Sequence, residues 1–174
     1  MTDLRYPIGP LVVPESITSA DRAGFLAAIA VTPARLRAAV AGLDDRRLDT
    51  PYRPGGWTVR QVAHHLADSH IHAYTRCKLA LTEDNPTIKP YLEARWAELP
   101  DSSRPIGGSL ALLDHLHERW VALLVAVPGE SFRRTYFHPE SEQQVRLDGV
   151  TAAYAWHGAH HVAHITELRR REGW

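Results

Sequence analysis

Cysteine, net charge and long apolar runs are all scarce in this 174-residue sequence. The single cysteine, Cys77, excludes an internal disulfide and a cysteine-based zinc site. Its position in a helical stretch favours a buried apolar role over that of a nucleophile. Twenty Lys and Arg residues balance twenty Asp and Glu residues, so no net charge attracts nucleic acid or an anionic membrane. We therefore expect neither nucleic acid nor membrane as a partner.

The sequence also lacks targeting signals. No segment approaches about 18 uninterrupted apolar residues, and the N-terminus lacks the basic start and apolar run of a signal peptide. We expect no membrane span and a cytoplasmic location. The length suits one domain, so we predict a single domain over residues 1–174. Residues 1–15, with three prolines, are predicted to form an extended N-terminal arm.

The first half of the sequence predicts two long helices. The first begins near Ser19, with Ser19 or Thr18 as its cap, and Pro33 is expected to restart it, because proline is tolerated in a first helical turn. The second follows a capping box, in which Thr58 and Gln61 satisfy each other's backbone amides. About 25 residues without glycine or proline then precede Pro86.

The second half predicts two more long helices. The third is expected to begin at a Ser109 cap and to stop at Pro128, and the fourth to run from about Gly149, capped by Asp148, to Glu172. A long, proline-punctuated connection separates the second and third helices, and residues 133–149 allow a small hairpin. The predicted fold class is therefore all-α, a four-helix bundle with one long crossover connection.

Histidine, by contrast, is abundant and clustered. With 11 histidines in 174 residues, random placement predicts about 0.7 pairs spaced i, i+4. Residues 157–164 instead contain two interlocked pairs, His157/His161 and His160/His164, a pattern expected about 0.003 times by chance. This density favours a chemical role over accident.

The helical period divides these four histidines. Residues four apart lie on one helix face, so the side chains of His160 and His164 can converge on one ion. His157 lies about 60° from His160, and His161 about 100° away from it. We therefore do not expect His161 to share the ion, and we interpret His157 and His161 as residues that orient ligands or substrate.

A third ligand can come from a facing helix of the bundle. On the second helix, His65 shares a face with Asp68, Ser69 and His72. Three histidines that leave a coordination position open suit zinc or nickel, and such an ion acidifies a bound water or thiol.

The alternative interpretation is structural. A single histidine on an amphipathic helix is more often exposed or hydrogen-bonded than a ligand. We keep that interpretation for His115, His117 and His138, and for His117 we expect packing or a hydrogen bond.

Four segments together resemble the YfiT group of the DinB-like superfamily. They are "PYRPGGWTVRQVAHHLADSHIHAYTRCKLALTE", "KPYLEARWAELPD", "SLALLDHLHERW" and "YAWHGAHHVAHITELRRREGW". The resemblance implies a four-helix bundle, a homodimer, and one divalent ion bound by three histidines. It assigns those ligands to His65, His160 and His164. Members of the group are described as metal-dependent hydrolases, and relatives include S-transferases that use mycothiol or bacillithiol.

Three functional hypotheses follow. In the first, the ion is Zn²⁺, with Ni²⁺ as the alternative, and it activates water to hydrolyse a small-molecule substrate. Asp68, one turn from His65, is then the candidate acid–base group, with helix capping or ligand support as its alternative role. In the second, the ion activates a low-molecular-weight thiol for transfer to an electrophile. In the third, the protein is a non-catalytic, metal-binding stress protein.

Overall fold

The computed structural model describes residues 3–174 and is mainly helical, which confirms the predicted all-α class. The helices are α1 (Ser19–Val40), α2 (Asp45–Leu48), α3 (Val59–Thr82), α4 (Glu93–Trp96), α5 (Gly107–Ala126) and α6 (Leu147–Glu172). Strands β1 (Thr135–His138) and β2 (Gln143–Arg146) pair antiparallel, with Thr135 opposite Arg146, as the predicted hairpin. Short 3₁₀ turns occupy Pro100–Ser103 and Gly129–Arg133.

The predicted capping box places the start of α3. The Thr58 side chain accepts from the Gln61 amide at 3.1 Å, and the Gln61 side chain accepts from the Thr58 amide at 3.0 Å. Thr18 caps α1 in the same way with Asp21. Both pairs satisfy amides that a helix N-terminus otherwise leaves without partners.

The predicted starts of the last two long helices need correction. Helix α5 begins at Gly107, because the Ser109 hydroxyl bonds Nδ1 of His64 at 2.7 Å instead of capping the helix. Helix α6 begins at Leu147, so Asp148 lies in its first turn and accepts from the Gly149 amide at 2.8 Å.

Pro33 does not restart α1, which continues through it. A proline inside a helix removes the amide that would bond the carbonyl four residues earlier, here the carbonyl of Ile29. Nδ1 of His117, on α5, donates to that carbonyl at 2.7 Å. The side chain from the neighbouring helix therefore takes the place of the missing bond.

The four long helices form a bundle with two diagonal connections. Helix α1 packs on α5 and α6, and α3 packs on the same two helices, so α1 lies diagonally opposite α3. The predicted long connection spans residues 83–106, but it joins the neighbours α3 and α5. The diagonally opposite helices α1 and α3 are joined by residues 41–58. Helices α5 and α6, which are also diagonally opposite, are joined by residues 127–146, which include the hairpin. Buried side chains of all four helices, among them Ile29, Leu66, Trp120 and Ile165, fill the interior.

Helix α1 is long and apolar enough to span a membrane by length and composition alone, and no other helix in residues 3–174 is. Its Leu26, Ile29 and Leu36 are buried against the other bundle helices. Its apolar composition is thus explained by a place in the bundle.

Gly158 allows α6 to approach α1 closely. A Cβ atom added there would lie 2.6 Å from Oγ1 and 2.7 Å from Cγ2 of Thr32, which is buried and bonded to the Ala28 carbonyl. We expect Gly158→Ala to lower the free energy of unfolding by up to about 2 kcal/mol in urea denaturation. Overpacking costs about 1–3 kcal/mol, from which the roughly 1 kcal/mol that alanine gains over glycine in a helix is subtracted.

Gly24→Ala is the matched control, because a Cβ atom at this exposed α1 position meets nothing within 4 Å. It should raise stability by about 0.5–1 kcal/mol. The double variant Gly158→Ala/Thr32→Ala should recover part of the loss. Equal stability of Gly158→Ala and the unmodified protein would contradict the close approach.

Candidate metal centre

Three histidines from two helices bring their ring nitrogens together. One ligand atom from each of His65 on α3 and His157 and His161 on α6 lies within 4.8 Å of the others. We call these residues the histidine triad. His65 and His161 are buried and His157 is partly buried. Residues 157 and 161 are one helical turn apart, so a single face of α6 presents both to α3.

One distance within the triad, between His65 and His157, fits two ligands of a tetrahedral ion. Nε2 of His65 lies 3.3 Å from Nε2 of His157. Two imidazole nitrogens bound at about 2.0–2.1 Å to one tetrahedral zinc ion lie about 3.3 Å apart. Nδ1 of His161 is buried and has no hydrogen-bond partner in the described residues. Nδ1 of His160 and Nδ1 of His164 are buried without a partner as well, so these atoms do not distinguish the triad from the second histidine pair.

Burial keeps the triad in the form that binds metals. It lowers the pKa of His65 to about 4 and holds the pKa values of His157 and His161 well below their usual value. The cause is desolvation of the charged imidazolium, to which neighbouring histidines add for His157 and His161. All three rings are therefore neutral at pH 7, and neutral imidazole is the metal ligand.

The structure groups His65 with a different pair from the predicted His160 and His164. Nε2 of His164 bonds the Arg5 carbonyl at 3.1 Å, and its ring stacks on Tyr52 at 3.9 Å. The ring of His160 stacks on Trp156 at 4.2 Å. The reason is the rotation of α6 about its axis, which turns this second i, i+4 pair towards the N-terminal arm and leaves the first pair facing α3.

Asp68 and His72, which were expected on the same face of α3 as His65, do not line the cavity beside the triad. Asp68 is half-buried, and its pKa is raised first by burial and then by the nearby Asp101. It does not line the cavity beside the triad, because a residue three positions after His65 is rotated towards the 3₁₀ turn that contains Asp101. His72 stacks on Tyr91 at 4.2 Å.

A cavity of about 390 Å³ opens beside the triad, and we call it the site cavity. Besides the triad, it is lined by Leu11, Trp57, Ser69, Arg76, Tyr91, Glu93, His138, Glu140, Ala153, Tyr154 and Trp156. Its volume and its mixture of aromatic walls with a few polar groups are typical of small-molecule sites. Trp156 lines the site cavity, and the interpretation of Cys77 as buried is confirmed, with its thiol pKa raised to about 12 by burial.

Behind the triad, His157, His70 and His117 form a continuous histidine network. Nδ1 of His157 lies 3.1 Å from Nε2 of His70, and Nδ1 of His70 lies 2.7 Å from Nε2 of His117. Nδ1 of His117 then reaches the Ile29 carbonyl at 2.7 Å. His70 and His117 are fully buried, and burial lowers the pKa values of all three rings. The hydrogen-bonding role expected for His117 is confirmed.

The Ile29 carbonyl determines which ring nitrogen of each histidine in the network carries the proton. A carbonyl can only accept, so His117 carries its proton on Nδ1. A neutral imidazole has one donor and one acceptor, so Nε2 of His117 accepts from Nδ1 of His70, and Nε2 of His70 accepts from Nδ1 of His157. Nε2 of His157 is left with a lone pair, and it is the nitrogen that faces His65. The network thus leaves the lone pair of this nitrogen available to a metal ion.

Fold and site together define a four-helix bundle with a histidine triad, a candidate metal centre, between two of its helices. The sequence matches the model of the DinB superfamily over residues 28–165, and the protein belongs to that superfamily. The resemblance seen in the sequence is thereby confirmed.

Relatives share the whole length of the chain. Proteins of Bacillus cereus (strain B4264) and Bacillus mycoides (strain KBAB4) are 52% identical over 174 residues, covering 100% of both chains, and each is named "putative metal-dependent hydrolase". The solved structure of YfiT from Bacillus subtilis is 49% identical, covers 98% of each chain and superposes with a TM-score of 0.96. It is described as "a probable metal-dependent hydrolase with an unusual four-helix bundle topology". The diagonal connections described above agree with that topology.

The histidine network makes a prediction about His117. Replacing it by leucine removes the acceptor for Nδ1 of His70, so the proton positions of His70 and His157 are no longer fixed. We expect His117→Leu to weaken zinc binding about 10- to 100-fold, the usual effect of removing a partner that orients a metal ligand. Competition with a chromophoric chelator measures the affinity, and ¹⁵N NMR of labelled histidine should show His157 leaving a pure Nδ1–H tautomer.

His115→Leu is the control, since His115 is exposed on the same helix. It should leave both the affinity and the NMR pattern unchanged. Thermal denaturation of metal-free protein checks that His117→Leu is folded. A folded His117→Leu protein with unchanged zinc affinity would show that the network does not support the site.

Proposed function

We propose that the protein is a metal-dependent hydrolase in which His65, His157 and His161 hold one divalent ion at the end of the site cavity. The observation that carries the proposal is the convergence of three neutral ring nitrogens, two of them 3.3 Å apart, beside a cavity of about 390 Å³. Three protein ligands leave a tetrahedral ion one position for a water or a substrate. The descriptions of the relatives support the same activity.

Three imidazole ligands suit Zn²⁺, with Ni²⁺ as the alternative. When bound, such an ion lowers the pKa of a water towards neutrality and so supplies a nucleophile at pH 7. The acting unit in this proposal is a homodimer, as the resemblance implies. Elemental analysis identifies the metal, and sedimentation gives the oligomeric state.

The residues of the cavity supply the remaining functions. Trp57 and Trp156 form apolar walls that exclude water from the ligand nitrogens, and the ring of Trp57 lies 4.5 Å from that of His65. We assign proton transfer to the carboxylates that line the cavity, Glu93 and Glu140, instead of to Asp68. The histidine network holds His157 in position and takes no part in proton transfer, because each of its N–H groups already donates to an acceptor within the network.

Metal loading of single variants tests the ligand set. We expect His65→Ala, His157→Ala and His161→Ala to lose the ion in elemental analysis after dialysis, because each removes one of three ligands. His160→Ala and His164→Ala are matched controls on the same helix and should keep about one ion per protein. The opposite result, loss in the controls and retention in His157→Ala and His161→Ala, would restore the ligand set predicted from the sequence.

Thiol dependence separates the proposed hydrolase from a transferase. The metal-loaded protein is assayed with a panel of p-nitrophenyl esters and, separately, with bacillithiol and monochlorobimane. We expect ester turnover without any thiol, and its loss in His65→Ala. Turnover that strictly requires the thiol would identify an S-transferase instead, and stoichiometric metal with no turnover in either assay would favour a non-catalytic metal-binding protein.

A further inference from the structure

Arg76 is a buried arginine that the proposed chemistry does not use. It lies on α3, its residue is only 9% exposed, and it lines the site cavity. Of its five N–H donors, one bonds the Lys89 carbonyl at 3.3 Å, and a side-chain hydrogen bond also links Arg76 to the Tyr136 hydroxyl. Its Nε is buried without a hydrogen-bond partner in the described residues.

No carboxylate of residues 3–174 neutralises this guanidinium. Ion pairs within 4.0 Å include buried Arg60, which pairs with Asp45 and Asp49, but they do not include Arg76. Glu93 and Glu140 line the same cavity, yet both are exposed and lie beyond that distance. Burying a charge costs free energy unless it is paired, so an unpaired arginine in a cavity indicates a missing anion.

Arg76 lies on nearly the same face of α3 as His65 of the histidine triad. It follows His65 by eleven residues, which brings it back to within about 20° of the same helix face. The two Cα atoms are separated by roughly 16 Å along the helix axis. Burial lowers the pKa values of His72 and His138, and the charge of Arg76 lowers them further, so the guanidinium lies on the side of the cavity that His138 lines.

We propose that Arg76 binds an oxyanion group, a carboxylate or phosphate, of the substrate whose reactive bond lies at the triad. The planar guanidinium matches such groups with two parallel hydrogen bonds. Arg76 is the one lysine or arginine among the cavity-lining residues, so it determines where an anion is held. The substrate class is therefore a small molecule that carries a carboxylate or phosphate group. This inference rests on the proposed metal centre.

The test uses metal-free full-length protein, so that the probe cannot bind to an ion. Inorganic phosphate and sodium acetate are titrated separately against ¹⁵N-labelled protein, and the Nε–H resonance of Arg76 is followed by NMR. We expect one saturable site for at least one of the two anions, and the tighter anion identifies the group. Arg76→Gln should weaken that binding at least tenfold, measured on neighbouring backbone amides, and Arg76→Lys should retain part of it.

Lys78→Gln is the matched control, because it removes one positive charge from an exposed position two residues away on the same helix. It should bind the anion as the unmodified protein does. Unchanged binding in Arg76→Gln, or no saturable site for either anion, would overturn the proposal. Zinc loading of Arg76→Gln is measured in parallel: normal loading with failed anion binding refutes only the role of Arg76, whereas failed loading of the unmodified protein refutes the metal centre.

Discussion

The hydrogen bond from His117 to the Ile29 carbonyl is the contact on which the candidate site depends. Pro33 removes the usual helical partner of that carbonyl, and a histidine of α5 replaces it. From there the network passes through His70 on α3 to His157 on α6, so it joins all four long helices. Neutral imidazoles in series permit one arrangement of protons once an end is fixed. The same hydrogen bonds therefore join the four helices and leave the Nε2 lone pair of His157 facing His65.

His160 and His164, which lie outside the triad, help to hold the lining of the site cavity in place. His164 bonds the Arg5 carbonyl, and the indole of Trp156, which stacks on His160, donates to the Gly9 carbonyl at 3.1 Å. These contacts hold the N-terminal arm against α6, and Leu11 of that arm lines the site cavity. His160 and His164 thus help to hold the segment that lines one side of the site cavity, whereas His157 and His161 line the cavity themselves.

Local signals predicted the elements of the fold well. The Thr18 cap of α1, the capping box at Thr58, the hairpin after residue 133 and the end of α6 before Gly173, which adopts a φ of 70°, all depend on residues close in sequence. Ser109 was predicted wrongly as a cap because its hydroxyl partner, His64, is distant in sequence. Pro33 was predicted to restart α1 because the donor that satisfies Ile29 is also distant.

The sequence by itself determined the helices, the bundle class and the presence of two histidine-rich faces, because each follows from spacing along one chain segment. From the sequence we chose His160 and His164 as ligands, although His157 and His161 have the same i, i+4 spacing. That choice depends on how α6 is rotated against α3, and packing of the whole bundle sets the rotation. Only the tertiary structure shows that Arg76 and the triad line one cavity, and which nitrogen of each histidine in the network carries the proton. Both depend on contacts between helices that are far apart in sequence.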